Sequence, residues 1–412
     1  MWMDHKNISK MKTVISYWLT RCRLNIALLQ KQEYIPRITE QARLTGIDFY
    51  SVYYRGSQYK IESILSRICK SESFILLAPS RKQVQMQKAL ECVPLVMEPE
   101  SGFYKSPLVV LDFQSLYPSV MIAHNYCYST MIGRVRELKL NNNEIGVAKF
   151  SLRRDILKLL DEHIEIAPNG VAYVDSSIRK STLAKMLEDI LDTRSVVKKT
   201  MSDLGSRNDA LKRILNSKQL ALKLIANVTY GYASASFSGR MPCSDLADSI
   251  VQTGREILEN AIEFIESDPG WGAKVVYGDT DSLFVYLPGK TRAEAFRIGQ
   301  AMAKGVTSRN RAPIYLNFEK VYHPCLLLSK KRYVGFKYEK DSNKSPNFDA
   351  KGIETVRRDG HPAQQKITEK CLRILFETKN LSEVKRYVQS EFVKIHKGHI
   401  MVQDFCFAKE VK

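Results

Sequence analysis

The chain has 412 residues, 44% of them hydrophobic and 26% charged, and a formal net charge of +19. That length exceeds one ordinary core and predicts two or three domains or subdomains, while the composition is globular, with no uncharged apolar run of membrane-spanning length. So large a cationic excess points to a polyanionic partner, nucleic acid ahead of an anionic membrane surface, and goes beyond what solubility requires.

Met1 to Lys12 are polar and basic, without a secretory apolar region, and read as an arbitrary start rather than a targeting signal. Val14–Gln30 has helical apolar spacing, Ile35–Thr45 continues helically as far as Gly46, and Gln58–Cys69 reads as another helix. Between them Ile47–Val52 alternates in places like a short strand. No Asp-x-Glu pair lies inside a hydrophobic strand of residues 13–100, as a carboxylate-based exonuclease site would require.

Leu108–Asp112 is a continuous apolar run ending in an acid, the pattern of a strand buried on both faces. An Asp at such a strand end suits a metal ligand, and suits a plain turn about equally well. Phe113–Ser119 leads into an apolar helical stretch from Val120, and residues 141–175 are of mixed polarity, with a turn signal at Pro168-Asn169-Gly170. Two strong helices follow. The first spans roughly Ser181–Leu204, with Ser181 or Thr182 as N-cap and Gly205 beyond its end; the second spans roughly Asn208–Tyr230 and ends at Gly231. Arg194 and Lys198 share a face of the first, and Lys223, Asn227 and Tyr230 fall within about 60° on the second. Solvated basic faces are the default reading of such cations; the aligned amide and phenol favour a triphosphate-and-base face.

Ser234–Arg240 leads into a helix over about Ser244–Ser267. Lys274–Val276 and Leu283–Leu287 then flank Tyr277-Gly278-Asp279-Thr280-Asp281-Ser282, two strands meeting at a Gly-Asp turn signal. Strand alternation puts Asp279 and Asp281 on one face, where two carboxylates repel unless a cation lies between them. Ile314–Glu319 is an alternating strand with a further acid. Leu326–Leu328 feeds Lys330-Lys331-Arg332-Tyr333, cations and an aromatic suited to a nucleic-acid backbone, and Lys351, Arg357 and Arg358 form a second basic cluster. Pro362–Thr378 and Leu381–His396 read as an amphipathic helix pair. The eight cysteines stand singly without CxxC pairs, which argues against zinc, iron–sulfur or disulfide frameworks and fits reduced thiols.

Taken together, Asp112–Ser119 (DFQSLYPS), Lys223–Gly231 (KLIANVTYG), Tyr277–Ser282 (YGDTDS) and Lys330–Tyr333 (KKRY) resemble, in the family's order, the motifs of the family B DNA polymerases. Gly46–Val52, Pro94–Ser101 and Asn125–Thr130 resemble a translesion member. Val228 stands where most members have Ser, and Ala184 where a proline is expected.

The resemblance implies an α+β fold of right-hand architecture: a palm with an antiparallel β-sheet, α-helical fingers and a partial helical thumb. The implied boundaries are a remnant of the region before the palm (1–104), first palm part (105–180), fingers (181–231), second palm part with the acidic hairpin (232–355) and the start of a thumb (356–412). It implies nucleotidyl transfer from a dNTP to a primer 3′-hydroxyl with two Mg²⁺ ions, held by Asp112, Asp281, the Phe113 carbonyl and, secondarily, Asp279, with Glu319 a weaker candidate. Ser115, Leu116, Tyr117, Arg194, Lys198, Lys223 and Asn227 would bind the dNTP, Tyr117 lying under the sugar and excluding a 2′-hydroxyl. Lys330, Lys331, Arg332, Tyr333, Lys351, Arg357 and Arg358 would grip primer–template DNA. Expected besides are a nuclear location, no proofreading, no membrane, and accessory subunits bound mainly outside this segment. The segment itself is expected to be a partial chain, without exonuclease-like and C-terminal cysteine domains, that extends primers poorly alone. A silent DNA-binding scaffold and a metal-dependent nuclease are the alternatives.

Overall fold

The computed structural model describes residues 8–136, 143–150, 158–205, 208–235, 238–341 and 346–407. The start at Met1–Asn7, parts of the mixed 141–175 stretch, Ser236-Phe237 of the linking stretch and the terminal Ala408–Lys412 of the expected thumb lie outside these residues. The chain forms two compact units, residues 1–91 with 124–250 and residues 92–123 with 251–412. Helices and antiparallel strands are mixed in both. Among the described residues no helix is long and apolar enough to cross a membrane.

In chain order the strands are β1 (Gly102–Tyr104), β2 (Leu108–Phe113), β3 (Met131–Arg134), β4 (Asn143–Ile145), β5 (Ala148–Phe150), β6 (Ile164–Ile166), β7 (Val171–Val174), β8 (Lys274–Asp279), β9 (Ser282–Tyr286), β10 (Leu316–Ser329), β11 (Arg332–Tyr338) and β12 (Asn347–Lys351).

The second unit is built on a seven-stranded sheet ordered β12-β11-β10-β2-β9-β8, with β1 also paired to β10. Every pairing is antiparallel. Central position explains why β2 reads as an unbroken apolar run. Leu108 and Val110 join Val276, Tyr277, Phe284, Tyr322, Cys325 and Leu327 in one buried cluster. Val109 faces the helix Arg292–Arg309, so closely that a Cβ at Gly299 would stand 2.8 Å from Val109 Cγ1 and 2.6 Å from Phe318. Full burial of each such large side chain is worth about 1.5–3 kcal/mol. Strand β2 is thereby a rigid mount for whatever its last residues carry.

The first unit packs the helices Tyr34–Thr45, Ser57–Ser71, Thr182–Leu204 and Asp209–Ser234 around Ile38, Ile61, Leu65, Leu187, Leu222 and Ile225, with a small sheet β3-β7-β6 and the pair β4-β5. Ser181 caps the Thr182–Leu204 helix by accepting from Ala184 N at 2.8 Å, and Gly205 closes it with φ +54°. Asn125 fixes the approach, donating to the carbonyls of Val174 and Arg179 at 2.8 Å each and accepting from Ser181 N at 2.9 Å. The helix Ile8–Lys31 forms as its spacing predicts, yet buries none of its residues.

Four local expectations are corrected. Ile47–Val52 is not a strand: Asp48 accepts from Ser51 N at 2.9 Å and starts the helix Phe49–Tyr54, so capping prevails over β-propensity. The helix after β2 begins at Leu116 rather than Val120, with Pro118 in its first turn, where the missing N–H costs nothing. Gly231 does not end its helix, which continues to Ser234 because Tyr232 and Ala233 are buried beyond it. The fourth concerns the acidic hairpin and belongs to the site.

Candidate active site

Asp112 is the penultimate residue of β2, opposite Ser282 of β9 and Asn317 of β10. The next residue, Phe113, donates its N–H to the carbonyl of Asp281 at 2.8 Å. Asp112 and Asp281 therefore sit on neighbouring chain segments at one end of the sheet, brought together by backbone hydrogen bonds rather than by side-chain choice.

The hairpin differs from its sequence reading. Gly278 and Asp279 belong to β8, paired with Leu283 and Ser282, and the turn is Thr280-Asp281. Thr280 takes a left-handed φ of +62°, Asp281 N donates to Asp279 O at 2.7 Å, and Thr280 N donates to Leu95 O at 2.9 Å. Asp281 is a turn residue, so strand alternation does not set its direction. Gly278 serves close packing instead of a turn: a Cβ there would lie 2.9 Å from Met97 Sδ. Segment 95–100 lines the outer edge of β8, with Met97 N bonded to Gly278 O and Glu100 N to Val276 O, both at 2.9 Å.

Charge at this end is unevenly balanced. Lys331, in the turn between β10 and β11, donates to both oxygens of Asp279 at 2.8 and 2.9 Å, and its backbone N–H reaches the Tyr277 hydroxyl at 3.0 Å. Asp281 is pushed above the usual carboxylate range, first by burial and then by the charge of Asp279, with Glu319 adding and Lys331 only partly opposing. Glu319 occupies a bulge in β10, the extra residue between the Phe318–Leu111 and Lys320–Val110 pairs. Among the described residues no group of three or more His, Cys, Asp or Glu side chains is spaced to hold a metal by itself.

Ser115, with φ +50°, turns the chain from β2 into the helix Leu116–Ala123, whose first two residues are Leu116 and Tyr117. The basic clusters are paired within the chain: Lys330 with Glu98 at 3.0 Å, Arg332 with Glu354, Lys351 with Asp349 at 3.8 Å and Arg357 with Asp359 at 2.6 Å. Arg358 is exposed. The Tyr333 ring packs against Tyr277, Phe284 and Tyr322, and burial raises its phenol pKa.

In the first unit, Arg194 and Lys198 lie on the Thr182–Leu204 helix, and Lys223 and Asn227 on the Asp209–Ser234 helix. Burial lowers the Arg194 and Lys198 pKa values, and the charges of Arg194 and Lys223 lower Lys198 further. Lys198 is therefore repelled by a cation on its own helix and by one on the next, and Arg194 Nε is buried without a hydrogen-bond partner among the described residues. Such a cluster would be relieved by an anion.

One network escaped the sequence reading. Lys320, buried beside the bulge, reaches Asp349 at 3.3 Å, and Tyr322 donates to the same carboxylate at 2.7 Å. Its partners lie on two strands, β10 and β12, and nothing local in the sequence announces it.

A profile of DNA polymerase family B matches residues 47–412. Over all 412 residues the chain is 70% identical to the DNA polymerase zeta catalytic subunit of Saccharomyces cerevisiae, covering 27% of that protein. It is 49% identical over the same span to the human DNA polymerase zeta catalytic subunit, covering 13% of it. Identity to the DNA polymerase delta catalytic subunit of Candida albicans is 35% over 400 residues, covering 95% of this chain and 36% of that protein. The chain thus spans little more than a quarter of the length of the yeast relative it matches so well.

Proposed function

Because this chain belongs to DNA polymerase family B, we propose that it carries the polymerising site of a zeta-type, translesion DNA polymerase working in the nucleus without proofreading. The reaction is attack of a primer 3′-hydroxyl on the α-phosphate of a dNTP, with pyrophosphate leaving. The single observation that carries this reading is the juxtaposition of Asp112 and Asp281 through the Phe113–Asp281 hydrogen bond.

The acidic end suits Mg²⁺ by its donors. Asp112, Asp281 and the Phe113 carbonyl are hard oxygen ligands, and Mg²⁺ is usually held by one or two carboxylates with substrate phosphates and water completing the shell. The raised pKa of Asp281 marks a carboxylate partly buried beside the like charge of Asp279, a setting that a cation would relieve. Asp112, Asp281 and the Phe113 carbonyl would hold two Mg²⁺, Asp279 secondarily, and the bound ions would supply activation of the 3′-hydroxyl and neutralisation of phosphate charge.

The remaining roles fall to the chain's own residues. Arg194, Lys198 and Lys223 neutralise the triphosphate, Asn227 lines the same helix face, and Ser115, Leu116 and Tyr117 receive the nucleotide, Tyr117 meeting its sugar. Lys330, Lys331, Arg332, Tyr333, Lys351, Arg357 and Arg358 grip the primer–template backbone, contacts without sequence information. Their acidic partners do not preclude this, because exposed ion pairs are worth about 0–1 kcal/mol and exchange readily for phosphates. In the right-hand layout the palm parts are 105–180 and 232–355, the fingers 181–231 and the thumb start 356–412, after a preceding region 1–104. Accessory subunits bind mainly elsewhere. A labelled primer–template with Mg²⁺ and dNTPs tests the reading: template-dependent lengthening, abolished by Asp281→Ala, supports it, whereas shortening of the primer indicates a nuclease and overturns it.

A further inference from the structure

Tyr117 stands in the first turn of the helix Leu116–Ala123, and Gly254 in the interior of the helix Ser244–Ser267. A mid-helix glycine costs about 1 kcal/mol relative to alanine. Here its reason is space. A Cβ at Gly254 would stand 3.2 Å from Tyr117 Cε1, 3.5 Å from Tyr117 Cδ1 and 3.6 Å from Leu116 Cδ2. The bare backbone of the helix is the bed on which the tyrosine ring lies. Val251, Ile257 and Leu258 are buried around that bed and hold it in place. Tyr117 itself is only half-buried, so its ring is backed on the Gly254 side without being wholly enclosed.

We propose that Gly254 is a positioning residue for sugar selection: the depth of its backbone sets how far the Tyr117 ring projects, and so how much room a nucleotide's 2′-position has. The inference rests on the reading that Tyr117 meets the sugar. A methyl group at 254 forces the ring to give by a few tenths of an ångström, and the yielding direction is away from the helix. The narrowed space penalises ribose more than deoxyribose, because the larger 2′-substituent meets the ring first.

The test is the ratio of kcat/KM for CTP over dCTP opposite a template guanine, measured for the 412-residue chain with parent sequence, Gly254→Ala, Tyr117→Ala and the double variant. The same ratio is read as equilibrium binding of each nucleotide to the chain on primer–template with Ca²⁺, so the answer does not hang on turnover. Tyr117→Ala is expected to raise the ratio; if it does not, the assignment of Tyr117 to the sugar fails first. Given that rise, Gly254→Ala is expected to lower the ratio about tenfold, the scale on which pockets discriminate one small group. That lowering should vanish in the double variant, where no ring remains to be pushed. An unchanged ratio, an equal loss for both nucleotides, or an effect that persists without the Tyr117 ring overturns the proposal. Should Gly254→Ala unfold the chain, recovery of the fold in the double variant supports the clamp, and failure to recover rejects it.

Discussion

Lys331 Nζ lies 2.8 and 2.9 Å from the two carboxylate oxygens of Asp279, so a cation from one hairpin turn covers the acid beside another. Asp281, two residues on, is partly buried, has no such ion pair among the described residues, and feels the Asp279 charge. This asymmetry separates the two acids of the hairpin: one is paired with a lysine, the other is partly buried beside a like charge. Removing the lysine charge by Lys331→Ala should free Asp279 for a divalent ion. The lysine side chain is largely exposed, which limits the pair to about 0.2–1 kcal/mol, so Mn²⁺ should bind about 1.4- to fivefold more tightly. Titration followed by electron paramagnetic resonance measures this, and an unchanged or weaker affinity would show that Lys331 does not compete for the site.

The same asymmetry ranks the acids in catalysis. Asp112→Asn and Asp281→Asn should each reduce single-nucleotide extension on the order of 10³-fold or more, as expected when a group acting as part of a unit is removed. Asp279→Asn should cost about tenfold, since its carboxylate is engaged by Lys331. Rapid-quench extension with circular dichroism as a control for folding checks all three. Equal losses at Asp279 and Asp281 would refute the ranking.

Much of the fold is legible in the sequence. Leu108–Asp112 announced itself because a central strand needs apolar residues on both faces, and Pro362–Thr378 and Leu381–His396 emerge with the bounds that their periodicity gave. The misses have one physical character: a local choice was overridden by something nearby in space. Asp48 capped a helix where β-branched residues suggested a strand. Gly278-Asp279 looked like a turn, but packing on Met97 claimed the glycine and Thr280 took the left-handed position. The Lys320–Asp349 pair joins residues 29 apart, after a bulge has shifted the phase of β10, and no periodicity survives such a shift.

The cation cluster of the first unit makes its own prediction. Partial burial lowers the pKa values of Arg194 and Lys198, and the charges of Arg194 and Lys223 both oppose that of Lys198. Removing one cation relieves the free protein and weakens the anion complex, so the loss should appear in nucleotide affinity. Each single alanine substitution should raise the KM for dNTP by about 10- to 100-fold, the worth of one charge-assisted hydrogen bond. Thermal midpoints should stay level or rise. A KM unchanged in all three variants would leave these helices with only a solvated basic face.

Acid stability tests the buried network under the sheet. Burial opposes ionisation of Asp349, yet the hydrogen bond from Tyr322 and the charges of Lys320 and Lys351 more than offset it, and the carboxyl sits below its ordinary value. A carboxyl depressed by folding contributes stability that is fully present above its unfolded pKa of about 3.9 and is lost as pH falls through the folded value. Asp349→Asn keeps an acceptor for Tyr322 but removes the charge facing Lys320, and should cost about 1–3 kcal/mol at neutral pH. It should also flatten the acid limb, because the proton that destabilises the parent below about pH 4 has nowhere to bind at this site. Urea midpoints taken between pH 7 and pH 3 measure both effects. Parallel curves for parent and variant across that range would mean that the depressed carboxyl is not Asp349, and the network would then hold the sheet by shape alone.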